Sequence, residues 1–221
     1  MIIGLSGKKQ SGKNTVSKII CALDFIDRTN SWSQLRYGYV EIEDTAKTVL
    51  KWITDWERID YDNKWQEVSF AFALRKCASV LTGNLEIFNL DEKSKNEPSG
   101  IKDADGNNIT NRQLLQKLGT EVGRAISPNI WVDCLLKCYK PEKYWIITDV
   151  RFENEANAIK EKDGVLIRIN RDTGYQDNHA SETALDNYEH FDAVIDNNGS
   201  LKDLIDNVIE VVKQLKLITI W

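Results

Sequence analysis

The chain has little of what binds transition metals. Its 221 residues include two histidines and four cysteines. Cys21, Cys77, Cys134 and Cys138 form no C-x-x-C pair, and Cys134 and Cys138 stand four apart on an expected helix. A zinc site is therefore not expected, and the thiols read as reduced core cysteines of a cytoplasmic protein. No run approaches the ~18 apolar residues of a membrane span. The opening Met1-Ile2-Ile3-Gly4-Leu5 reads as a strand feeding a loop rather than as a signal peptide. Basic residues form no stripe and the net charge is −5. Polymeric nucleic acid is thus not an expected partner, nor is a membrane. A single nucleotide is another matter, because a few local cations can hold one inside an acidic protein. There is no internal repeat.

What is present points to one α/β domain. A hydrophobic fraction of 42% supports a core, and a charged fraction of 29% is ordinary for a globular chain. The most informative stretch is Gly7-Lys8-Lys9-Gln10-Ser11-Gly12-Lys13-Asn14-Thr15. G-x-x-x-x-G-K is the spacing of a loop that wraps a triphosphate. Its glycines let backbone N–H groups turn inward, and the helix N-terminus behind them favours anions. Lys13 then reaches the β- and γ-phosphates, and Gly7, Lys8, Gln10, Ser11, Gly12, Asn14 and Thr15 become ATP-binding candidates. The setting agrees: a short strand precedes the loop, and Val16, Ile19, Ile20 and Leu23 follow at helical spacing. Asn14 departs from the Ser or Thr that the full pattern asks for, and Thr15 comes one place later. The G-K-x-T ending resembles the loop of nucleoside monophosphate kinases. Mg²⁺ is then expected to be held mostly by phosphates and water.

Further along, a helix is expected near Glu43–Trp56 with Ala46, Val49, Leu50 and Ile53 on one face. Tyr37-Gly38-Tyr39 reads as a short strand, residues 57–66 as a polar turn, and Ser69–Thr82 as a helix ending at Gly83. Asp105-Gly106, between Ile101 and Ile109, marks a hairpin or flap within residues 91–111. Thr110 or Asn111 caps a helix carrying Leu114, Leu115, Leu118 and Val122, which Ser127-Pro128 ends. A helix over Asn129–Tyr139 comes next. Tyr144–Asp149 reads as a buried strand, Glu153–Glu161 as a helix, Val165–Asn170 and Ala193–Asp196 as strands. Ser200 and Asp203 form a capping box for a last helix buried along Leu201, Leu204, Ile205, Val208, Val211 and Val212. The apolar ending Leu215–Trp221 suits either an interface or a core strand. Strands alternating with helices imply a parallel, doubly wound sheet in three α/β/α layers. The core spans about 1–25 and 140–221, with a largely helical insertion over about 26–139. A lid-like loop runs over about 171–191. Trp32, Trp52, Trp56, Trp65, Trp131 and Trp145 read as core residues rather than as stacking platforms.

Ligands of open parallel sheets sit at the carboxyl ends of the strands. Asp149 ends an apolar strand, where a carboxylate organises Mg²⁺-bound water or caps a helix. Arg151 lies on the same rim, as a transition-state cation or as one half of a surface ion pair. Arg171 follows the next strand, at the base of a loop suited to excluding water. His179 within that loop either contacts substrate or ties the loop down. Asn197 and Asn198 follow the last strand, either facing an adenine edge or forming a plain turn. Arg75, Lys76, Arg112 and Gln116 lie in the insertion, where cations and an amide can hold an acceptor phosphate and a base.

Taken together, these stretches resemble the phage-type deoxynucleoside monophosphate kinases. The resemblance is carried by Leu5–Thr15; Phe70–Arg75; Arg112–Thr120; Asp149–Phe152 with Asn154-Glu155; Asn178–Glu182; and Ile195–Ser200. It implies a P-loop fold, the reaction ATP + dNMP → ADP + dNDP with Mg²⁺, a host cytoplasm and a homodimer. It also implies that Lys13, Asp149, Arg151 and Arg171 act in catalysis. Arg75, Lys76, Arg112, Gln116, Thr120, His179 and Glu182 would hold the dNMP, and Thr15 and Asp149 the metal, through water. Phe72-Ala73 departs from the Asp-Pro or Gly-Pro more usual there. Two rivals remain at this point: a P-loop kinase for another small acceptor such as dephospho-coenzyme A, and a nucleotide-binding module without catalysis.

Overall fold

The computed structural model describes residues 1–28, 46, 49–50, 53, 64–88, 90, 93–174 and 179–218. β1 (Ile2–Ser6) is buried throughout. Ile3 and Leu5 face one side of the sheet and Ile2 the other. α1 (Lys13–Arg28) runs past the expected Leu23. Ile26 prolongs its buried stripe, and Arg28 pairs with the buried Asp24 one turn back at 2.6 Å. Of the helix expected near 43–56, Ala46, Val49, Leu50 and Ile53 are described and helical. Ala46 and Val49 enter the core and Ile53 packs against it, whereas Leu50 is exposed. The expected strand at residues 37–39, and Trp32, Trp52 and Trp56, lie outside the described residues.

β2 (Trp65–Val68) begins inside the stretch expected to be a turn. Among the described strands it lies at the edge, paired with β5 alone, and the exposed Gln66 and Glu67 hide its apolar signal. Trp65 is buried and packs edge-on against Tyr144, with ring centres 5.3 Å apart. α2 (Ala71–Thr82) ends at Gly83, whose φ of 66° is the left-handed cap that glycine favours. β3 (Pro98–Lys102) and β4 (Asn108–Thr110) form the expected hairpin. Its turn is held by the Asp103 carboxylate, which accepts the N–H groups of Asp105 and Asn107. α3 (Asn111–Gln116) starts at a capping box between Thr110 and Gln113.

The chain then widens into a π-helical coil over Lys117–Gly123 and closes with one α turn, Arg124–Ile126. A π coil bonds i→i+5 and so carries more residues per turn. Val122 is thereby rotated off the Leu114–Leu118 face and left exposed, contrary to the helical spacing. α4 (Ile130–Leu136) follows and ends earlier than expected. Trp131 on α4 donates its indole N–H to the Gly119 carbonyl at 2.8 Å and fills the space that Gly123 leaves open, while Leu74 fills the space at Gly119.

β5 (Tyr144–Val150), α5 (Glu153–Lys160), β6 (Val165–Asn170), α6 (Ala180–Thr183), β7 (Ala193–Asp196) and α7 (Leu201–Gln214) complete the fold. The five-stranded sheet has order β2-β5-β1-β6-β7 and every pairing is parallel. α1 and α7 cover one face and α4 and α5 the other, so both faces are apolar. The Ser200–Asp203 capping box forms as expected. Leu201, in the first turn of α7, is exposed rather than buried. Leu217 packs into the core from a turn, so the described part of the C-terminal stretch serves the core without being a strand. Trp65, Trp131 and Trp145 are all core residues.

A Cβ on Gly123 would run into the Trp131 indole and come within 3.0 Å of the Leu118 carbonyl oxygen. Gly123→Ala is expected to lower stability by about 1–3 kcal/mol. Urea unfolding would read this as a lower midpoint, and an unchanged midpoint would contradict the packing described.

Candidate active site

β1, β5, β6 and β7 all deliver their carboxyl ends to one rim of the sheet. The loop after β1 is shaped by two glycines. Gly7 has φ 154°, and a Cβ there would sit 2.5 Å from the Ile169 carbonyl oxygen. Gly12 has φ 101°, and a Cβ there would strike the Asn197 amide. Lys13 folds back over the loop and donates to the carbonyls of Gly7 (2.6 Å) and Lys8 (2.8 Å). Burial and the nearby Arg151 guanidinium lower its amine to about 8, against the pull of Glu182 and Asp149.

Asp149, on β5, accepts the N–H groups of Phe70 and Ala71, each at 2.9 Å, and so caps α2. Each carboxylate oxygen keeps a second lone pair for another donor. The Arg151 guanidinium donates to the Ser181 carbonyl at 3.1 Å and to the Glu182 carboxylate. Glu182 is almost buried, and its other oxygen accepts the Lys9 N–H of the phosphate loop at 3.2 Å. Asp186 acts similarly nearby, taking Lys8 at 2.5 Å and Arg168 at 3.1 Å. Arg168 also donates to Ser6 Oγ at 3.2 Å, at the root of the loop.

A cleft of about 160 Å³ opens beside this rim. The expected residues Arg75, Arg112, Gln116, Thr120, Asp149, Arg151 and Glu182 all line it. Lys95, Arg124, Phe152 and Glu155 line it too, and the residue pattern had assigned them no role. Glu155 is 4% exposed and accepts three N–H groups, from Arg151 (2.7 Å), Phe152 (3.1 Å) and Arg124 (2.5 Å). Burial raises its carboxyl to about 7, and Asp149 adds to the rise, while these donors oppose it. Its signal in the sequence was a Glu three places after a strand-to-helix junction; that of Arg168 was a lone cation inside an apolar strand.

The remaining candidates stand elsewhere. Arg171 and Lys76 are exposed and do not line the cleft. His179 caps α6, accepting the Ser181 N–H at 3.2 Å. Asn197 is buried beneath the loop and donates to the Ser11 carbonyl at 2.8 Å, so it braces the loop. Asn198 is exposed, donates to Asp196 and accepts the Asp172 N–H at 2.7 Å, which is turn geometry. Among the described residues no group of three or more His, Cys, Asp or Glu is placed to hold a metal ion. Thr15 and Asp149 each offer a hard oxygen, the donor type that magnesium takes. No described helix is long and apolar enough to cross a membrane.

A glycine loop at the head of a parallel sheet, joined through Glu182 to a cleft lined with arginines, suits a phosphotransferase. The chain belongs to the deoxynucleotide monophosphate kinase family, whose model matches residues 1–208. It is similar to a putative deoxynucleotide monophosphate kinase of Acanthamoeba polyphaga mimivirus, 32% identical over 231 residues and 96% of each chain. It is also similar to the deoxynucleotide monophosphate kinase of Enterobacteria phage T4, 27% identical over 248 residues, covering 97% of this chain and 99% of the relative.

The lowered Lys13 amine has a measurable consequence. Near pH 8.5 the empty loop holds this amine partly deprotonated. A bound triphosphate favours the charged form and pulls the proton affinity back up. When inorganic triphosphate binds, Lys13 is therefore expected to take up a fraction of a proton at pH 8.5 and almost none at pH 6.5, beside the protons that the triphosphate itself releases. Calorimetry in buffers of different ionisation enthalpy, run on the wild type and on Lys13→Arg, isolates the lysine share as the difference between the two. An equal difference at both pH values would contradict it.

Proposed function

We propose that the protein transfers the γ-phosphate of ATP to a deoxynucleoside monophosphate, giving ADP and the diphosphate, in a cytoplasm. The observation that carries this reading is the bridge through Glu182. One carboxylate touches the Lys9 N–H of the donor loop and the Arg151 guanidinium of the cleft, so the two sites share a wall. A donor phosphate on the loop and an acceptor in the cleft would meet there.

The chemistry asks little of a base, because the acceptor phosphate is already anionic at neutral pH. Alignment and charge stabilisation carry the rate. Lys13 and the loop amides would hold the donor. Arg151 would cover the transferring group, and Arg112 with Arg75 would hold the acceptor phosphate. Gln116 and Thr120 offer an amide and a hydroxyl to the nucleoside. Thr15 and Asp149 would hold Mg²⁺ largely through its water, and the ion would neutralise charge on the donor phosphates. Arg171 does not line the cleft and is given no part in this reading.

A coupled assay of ADP release with ATP, Mg²⁺ and each deoxynucleoside monophosphate tests the proposal. Turnover with at least one of them is expected, and silence with all of them would refute it. Lys13→Ala is expected to fold and to lose transfer by at least about a hundredfold. Arg112→Ala should raise KM for the acceptor by about tenfold while leaving KM for ATP alone. A change confined to the ATP parameters would move Arg112 to the donor side.

A further inference from the structure

We infer that Glu155 is a positioning residue: it fixes the Arg151 backbone and the Arg124 side chain in one arrangement, and so sets the acceptor wall of the cleft against the rim that carries the donor. The inference rests on the kinase reading above. A Glu at the third position of a helix commonly reaches back to the N-cap N–H, in the open. Glu155 does so with Phe152, which has no side-chain acceptor to return the bond. That task needs neither burial nor a second element.

Two further contacts exceed it. The Arg151 N–H, outside the helix, is held at 2.7 Å, which fixes the root of the side chain that reaches Ser181 and Glu182. The Arg124 guanidinium arrives from the α turn that closes the π-helical segment, 31 residues earlier, at 2.5 Å. Arg124 makes further contacts of its own. It donates to the Pro128 carbonyl and Asn154 Oδ1, both at 3.0 Å, and lies 3.7 Å over the Phe152 ring. Asn154 in turn donates to the Pro128 carbonyl at 2.9 Å and to Asn129 Oδ1 at 2.7 Å. The acceptor-side segment 124–129 is thus tied to the β5 rim through Glu155 and its neighbour Asn154.

A buried carboxylate is costly unless its donors are all present. Here they are, and they come from both walls of the cleft. A glutamine cannot replace it: it offers one acceptor oxygen, and its NH₂ must face either Arg124 or the two backbone N–H groups. At least one donor is then left unpaired, and the two walls are free to shift. Displacements of about 1 Å at a reacting centre cost about a hundredfold in rate.

The test measures kcat and, separately, binding of a non-hydrolysable ATP analogue for Glu155→Gln, Arg124→Met and the double variant. Each single change is expected to lower kcat by about tenfold to a hundredfold. Binding of the analogue should stay within about twofold, and the double variant should fall no further than the worse single one. Wild-type kcat in Glu155→Gln, a parallel loss of analogue binding, or losses that multiply would each overturn the inference. If Glu155→Gln does not fold, Arg124→Met carries the test alone, and full kcat there overturns it. Amide hydrogen exchange gives a readout without turnover. Folded Glu155→Gln should exchange faster both at 151–152 and across 124–129, whereas acceleration confined to 151–155 would reduce Glu155 to a helix cap. Wild-type silence on every deoxynucleotide would sink the proposed function, while the exchange result would still decide this point.

Discussion

Charge balance at the carboxyl rim is the constraint on which the rest of the structure depends. A site for polyphosphate must gather cations and unpaired N–H groups in a half-buried place, and such groups are costly when nothing answers them. In this protein five described cations at or beside the rim have partners. Lys13 turns onto loop carbonyls, Lys8 and Arg168 share Asp186, Arg151 takes Glu182, and Arg124 takes Glu155. The carboxylates are as much a part of the proposed phosphate site as the cations. Glu182 goes furthest, since it sits on a loop N–H where an anion belongs.

The fold supplies the frame for that balance. Parallel strands buried on both faces bring β1, β5, β6 and β7 to one edge, and each leaves a polar residue there. The acceptor side is less regular. A π-helical coil, two glycines and the Trp131 indole shape its wall, and a small apolar cluster of Ala78, Ile87, Ile109 and Leu114 holds the hairpin and α2 behind it. Two different kinds of packing therefore meet at the cleft, and the polar junction at Glu155 lies between them.

Much of this was legible in the residues, for definite reasons. Gly7 and Gly12 mark a loop because only glycine tolerates those backbone angles at that crowding. Ser200–Asp203 and Thr110–Gln113 mark helix starts because capping is a local bond. β2 was missed because an edge strand exposes half its residues, and Val122 was misplaced because nothing local announces a π coil. In the site, Arg75, Arg112, Gln116, Thr120, Asp149, Arg151 and Glu182 reach one cleft. Asn197 braces the loop from beneath, and Arg171 is exposed and does not line that cleft. The Glu155–Arg124 pair was not legible, because it joins residues 31 apart through a helix cap that the sequence announces only as a cap.

The central claim is that donor loop and acceptor cleft adjoin across Glu182 and Arg151. The most direct measurement is calorimetric binding of adenosine joined through five phosphates to a deoxynucleoside, prepared with each of the four bases. If the sites adjoin, one linked molecule fills both, and at least one of the four should bind about 10²–10⁴ times more tightly than ATP alone. If none of the four exceeds ATP, the cleft does not face the loop as an acceptor site and the account is wrong.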